Sequence, residues 1–121
     1  MLLIDAANVI GSRPDGWWRD RPGAARTFVG RVRAAVGEGR LDTPVVLVLE
    51  GLSRTAVDEG TVDGISVLHA PGSGDDTLVS VVAGADSPVT LVSADRALCR
   101  RAVDLGAEVV RPGWLLARLD G

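Results

Sequence analysis

Residues 1–10 read Met-Leu-Leu-Ile-Asp-Ala-Ala-Asn-Val-Ile, and Gly11 opens a polar stretch. The run Met1–Ile4 is apolar without alternation and stops on a carboxylate, Asp5. That pattern predicts a strand buried on both faces, central in a parallel sheet, with a turn after it. In open α/β sheets ligands bind outside the carboxyl ends of the strands, so Asp5 stands where a site would be. A strand-end Asp also serves as a helix N-cap or turn residue. What decides between these roles is whether other acids share the position.

They do. Working outward, a loop over residues 11–21 is punctuated by Gly11, Pro14 and Gly16. Pro22 starts a helix to about Val36, with Ala25, Phe28, Val29, Val32 and Val36 as its buried stripe. A second apolar strand, Pro44–Leu49, ends on Glu50. Residues 52–63 read as irregular or loosely helical. A third strand, Ile65–Leu68, is followed by His69 and by a loop, Ala-Pro-Gly-Ser-Gly-Asp-Asp-Thr, that opens a helix at about Asp75. A fourth, Val89–Val92, runs into Ser93, Ala94, Asp95 and Arg96, then a helix to about Leu105 capped by Gly106. A fifth strand, Glu108–Val110, and a closing helix over residues 113–119 complete the chain.

Five strands alternating with helices predict a three-layer α/β/α domain spanning residues 1–121. Right-handed crossovers favour strand order 3-2-1-4-5, with the switch point between strands one and four. Asp5, Glu50, Asp75, Asp76 and Asp95 then fall on one edge of the sheet. Carboxylates converging there repel one another and call for a cation. Oxygen donors in a solvent-facing cleft suit Mg²⁺ or Mn²⁺. Zinc is disfavoured, with His69 the lone histidine. A divalent ion on Asp residues with water still bound points to phosphate-ester chemistry.

Composition narrows the alternatives. The chain has 121 residues, 46% of them hydrophobic and 24% charged, as in a soluble globular domain. No apolar run nears the ~20 residues of a membrane span. With no basic region before its first strand it reads as leaderless, and its one cysteine, Cys99, fits a reducing cytoplasm. Cys99 reads as a packing residue rather than a nucleophile. There is no lysine, which excludes a P-loop, a Schiff base and a phospho-receiver. Ala7 stands where a phosphatase with an Asp nucleophile at Asp5 would carry its second Asp.

Net charge is −3, yet residues 11–40 hold Arg13, Arg19, Arg21, Arg26, Arg31, Arg33 and Arg40 against three acids, a local charge of +4. Arg26, Arg33 and Arg40 line one edge if the helix persists past Gly37. Such a segment can guide a phosphate backbone. Trp17 and Trp18, flanked by Arg13, Arg19 and Arg21, include one anchor for the loop and one platform on which an unpaired base could stack.

Leu-Ile-Asp-Ala-Ala-Asn-Val, Gly-Ser-Gly-Asp-Asp and Val-Ser-Ala-Asp-Arg, in that order, resemble the PIN-like nucleases, in particular the NYN and YacP-like branch. The resemblance covers nearly the whole chain and implies a Mg²⁺- or Mn²⁺-dependent endoribonuclease. It makes Asp5 the central metal ligand and Asn8 the residue orienting ligands or substrate. It also makes Asp76, with Asp75 beside it, the acid of the middle helix, and Asp95 the last acid, flanked by Ser93 and Arg96. Glu50 stands where relatives often carry Asp, and His69 has the location for a secondary substrate contact. Arg13, Arg19 and Trp17 join Asn8, Ser93 and Arg96 as substrate-binding candidates. RNA is the expected partner. A second copy is expected by default, and a protein partner would be an antitoxin or an RNA-processing complex. The segment Gly51–Gly64 is short for this branch, which leaves a non-catalytic RNA- or protein-binding module as the competing reading.

Overall fold

The computed structural model describes all residues, Met1–Gly121. Its elements are β1 (Leu2–Asp5), α1 (Ala6–Gly11), α2 (Arg21–Gly37), β2 (Val45–Leu49), β3 (Gly60–Val62), β4 (Ile65–His69), α3 (Gly74–Gly84), β5 (Thr90–Val92), α4 (Arg96–Asp104), β6 (Glu108–Val110) and α5 (Pro112–Leu119). The sheet has order β3-β4-β2-β1-β5-β6. All pairings are parallel except β3 with β4.

The five parallel strands take the order expected from sequence, and β1 lies in the middle because both its faces are apolar. Leu2 and Ile4 face one core with α1, α2 and α5. Leu3 faces the other, with α3 and α4. Residues Leu3, Ile4, Val45, Leu47 and Leu91 are completely buried, as two-sided burial of a parallel sheet requires. No buried side-chain nitrogen or oxygen lacks a hydrogen bond. No helix is long and apolar enough to cross a membrane.

Two features differ from expectation. Residues 6–11 form a helix rather than a turn, because Asp5 accepts a hydrogen bond from the Asn8 amide at 3.4 Å and caps it. Helix α2 ends at Gly37, next to its expected end at about Val36, so Arg40 lies outside the row of Arg26 and Arg33. It donates instead to the Arg118 and Leu119 carbonyls at the end of α5.

The sheet also has a sixth strand, β3, folded back on β4 through Asp63 and Gly64, with φ of 53° and 77°. A two-residue Asp-Gly turn with both φ positive is the strongest short hairpin signal a sequence carries, and it was legible here. A Cβ on Gly64 would lie 2.8 Å from Thr43. Gly64→Ala is therefore expected to cost about 1–3 kcal/mol and to lower Tm by roughly 5–15 °C in a thermal melt.

Candidate active site

The chain runs from β1 outward through β2 and β4, then crosses to β5 on the other side of β1. The switch point thus lies between β1 and β5, and Asp5 sits at its mouth, only 7% exposed. Its Oδ2 accepts from the Ser93 hydroxyl at 2.9 Å. Ser93 is itself buried just beyond β5, and its Oγ accepts from the Asp95 amide at 3.1 Å. Asn8 completes the bridge from the α1 side, its Oδ1 accepting from the Ala94 amide at 2.8 Å. Asp5, Ser93, Asn8 and the Ala94–Asp95 backbone form one hydrogen-bonded unit across the switch point.

Burial raises the Asp5 carboxyl from 3.8 to about 6, opposed by the Ser93 and Asn8 hydrogen bonds and reinforced by the negative charges of Glu50 and Asp75. A carboxyl so poised is common at functional sites, where desolvation and like charges hold a group near neutrality. Glu50, half-buried, accepts from the Gly74 amide at the start of α3.

The acids share an edge, yet they are not gathered as expected. No three His, Cys, Asp or Glu side chains are grouped so as to hold a metal ion together. Mutual repulsion is lowered because Glu50, Asp76 and Asp95 each have a donor of their own. Glu50 takes the Gly74 amide, and Asp95 caps α4 through the Leu98 amide at 3.1 Å. Asp76 is 86% exposed and paired with Arg101 at 3.1 Å, whereas Asp75 is half-buried and its charge acts on Asp5. Of the two middle-helix acids, Asp75 is the one whose charge acts on Asp5, and Asp76 is turned to Arg101. On a helix successive side chains point about 100° apart, which lets the two neighbours take different surroundings.

The donor set still fits a hydrated Mg²⁺ or Mn²⁺. It is made of hard oxygens, and such ions are commonly bound through one or two carboxylates with waters completing the shell. His69 does not contribute. Its Nε2 pairs with the Val57 carbonyl at 2.7 Å and its amide donates to Glu59 at 2.6 Å, pinning the β2–β3 connection. Burial first, then Asp95, pushes the half-buried Cys99 thiol up, away from a reactive thiolate.

Among the basic candidates, Arg13 and Arg31 both pair with Asp120 and are occupied. Arg19 and Arg21 instead lie over Trp18 and Trp17, 5.9 and 5.5 Å from the ring centroids. Arg96 is exposed in the first turn of α4, beside Asp95. Trp17 is half-buried and meets the exposed Trp18 edge to face, centroids 5.8 Å apart.

No family model and no curated protein matches the chain. Two solved structures of Rae1 (YacP) from Bacillus subtilis are similar in fold. A point variant aligns at TM-score 0.74 and 15% identity, covering 98% of this chain and 73% of that one. The unsubstituted protein aligns at 0.70 and 16%, covering 99% and 73%. The chain thus shares the fold of Rae1 (YacP) over nearly its whole length.

Proposed function

We propose that this chain, sharing the fold of Rae1 (YacP), is a metal-dependent nuclease, specifically an endoribonuclease hydrolysing RNA phosphodiester bonds. The observation that carries the reading is the buried Asp5 at the switch point, held near neutrality with Glu50 and Asp75 acting on it. Asp5 and Asp75 are the residues that would hold a hydrated Mg²⁺ or Mn²⁺ between them, as one or two carboxylates commonly do, while Glu50 and Asp95 stay on their own backbone donors at the same edge. Such an ion, when bound, acidifies a water and offsets the charge that develops on phosphorus.

The chain's own residues do the rest. The Ser93 hydroxyl and the Asn8 amide fix the Asp5 carboxylate, so its lone pairs are oriented before any ligand arrives. The Asn8–Ala94 bond keeps the loop carrying Asp95 and Arg96 against α1. Arg96 is placed to meet a phosphate there. Trp17, with Arg19 and Arg21, offers aromatic and cationic surface to the strand, and Arg13 joins only by releasing Asp120.

A Mn²⁺ titration tests this directly. Above the dissociation constant each tenfold rise in Mn²⁺ should add about 1.4 kcal/mol to stability. Tm should climb several degrees per decade, with cleavage of an RNA oligonucleotide appearing over the same range. The dispersed carboxylates favour a second reading, a non-catalytic RNA-binding module on the same fold. It predicts RNA binding and a Tm that are both indifferent to Mn²⁺.

A further inference from the structure

Between α1 and the segment after β2 lies a groove of about 360 Å³ whose lining includes Ile10 of α1, Trp17, Arg21, and Glu50, Leu52 and Ser53 after β2. Its size falls at the lower end of small-ligand pockets, about 300–1,000 Å³. Glu50 lines the groove and its charge also acts on Asp5, so the groove opens on the same edge of the sheet as Asp5. Leu52 is 62% exposed although large and apolar, and folding alone gives no reason for that. The Arg54 guanidinium holds the Leu52 segment in place, donating to the Gly51 carbonyl at 3.1 Å and the Ala70 carbonyl at 3.2 Å.

We infer that this groove receives one unpaired nucleobase of a single-stranded nucleic acid. The inference rests on the nuclease reading for what happens to the strand, but not for its binding. A base presents two apolar faces and a polar edge. Ile10, Trp17 and Leu52 supply apolar and aromatic surface for the faces, and Ser53 supplies a hydroxyl for the edge. The Arg21 cation, stacked over Trp17, meets the flanking phosphate. A base within a duplex is stacked and paired, and would have to be flipped out to enter. The site therefore selects single strands. Two further cavities, of about 280 and 340 Å³, are less suited. One places Arg13 and Arg31 around the charge of Asp120, and the other lies by Met1, Pro44 and Trp114, at the opposite end of the strands from Asp5.

The test uses the full chain carrying Asp5→Asn, which separates binding from cleavage, and a fluorescein-labelled twelve-nucleotide oligouridylate, free or paired with oligoadenylate. Adding Trp17→Leu should weaken binding of the free strand roughly five- to a hundredfold, the range for losing one base–aromatic stack. Trp17→Phe should restore most of it, and binding of the duplex should not move. If Trp17→Leu fails to melt cooperatively, Leu52→Asp at an exposed position replaces it, with the same expected loss. Equal free-strand affinity in the folded variants overturns the groove assignment. Mn²⁺-dependent cleavage by the unsubstituted protein alongside Trp17-independent binding would overturn the groove and leave the nuclease. Trp17-dependent binding without cleavage would do the reverse.

Discussion

Asp5→Asn is expected to make the metal-free protein more stable while silencing it. Folding raises the Asp5 carboxyl from 3.8 to about 6, so the folded chain binds more protons than the unfolded chain between those values. Stability contributed by neutral Asp5 is complete below the lower value, falls as pH rises through the window, and is gone above about 6. At about pH 7.5 the ionised side chain costs on the order of 2–3 kcal/mol, from a shift worth 1.36 kcal/mol per unit. Asparagine removes that cost: its one amide oxygen can still cap α1, while its NH2 faces Ser93 and donates to that hydroxyl oxygen instead of accepting from it. Tm should rise by roughly 5–15 °C at about pH 7.5. The two proteins should converge as pH falls below the window. The same variant should lose its Mn²⁺-dependent Tm increment and at least ~100-fold of cleavage, since loss of even an outer-sphere partner costs 10–100-fold. Melts at several pH values, run with and without Mn²⁺, check both halves. A variant no more stable than the parent, or one cleaving at the parental rate, would contradict the role given to Asp5.

Asp75→Asn and Asp76→Asn are expected to differ sharply although the residues are adjacent. Asp75 is half-buried and acts on Asp5, so its neutralisation should reduce metal-dependent RNA cleavage at least ~30-fold, within the range for a group supporting a metal ligand. Asp76 is 86% exposed and meets only Arg101, an ion pair of the kind that contributes little. Its neutralisation should change the rate less than about threefold and leave Tm within a degree or two. Rates for the two variants under matched Mn²⁺ decide the point. The reverse order would put Asp76 back in the site.

The parallel sheet was readable because its strands are unbroken apolar runs, and so was the order of those strands. The placement of Asp5, Glu50 and Asp95 at strand ends followed from the same runs. What sequence could not resolve was direction within an element. Asp75 and Asp76 open the same helix, and only the rotation of α3 against the sheet tells which one faces Asp5. The roles of Arg13, Arg31 and Arg40 were equally hidden, since Asp120 and the α5 carbonyls are about 80 or more residues away in sequence. One feature was legible but not read, the Asp63-Gly64 turn that announces the β3–β4 hairpin, whereas the N-cap role open to Asp5 is the one it takes on α1.

The pairing of Asp120 with Arg13 and Arg31 bears on how ionic strength should govern this molecule. Of the seven arginines in residues 11–40, those two and Arg40 are engaged within the chain, which leaves Arg19, Arg21, Arg26 and Arg33 to displace counterions from a polyanion. A single strand held by those four alone would show a slope of log affinity against log salt near −3, from about −0.7 per neutralised phosphate, where seven would give nearly −5. A tenfold rise in salt should therefore weaken association about a thousandfold, against nearly a hundred-thousandfold for seven free arginines, and base contacts would set what is retained.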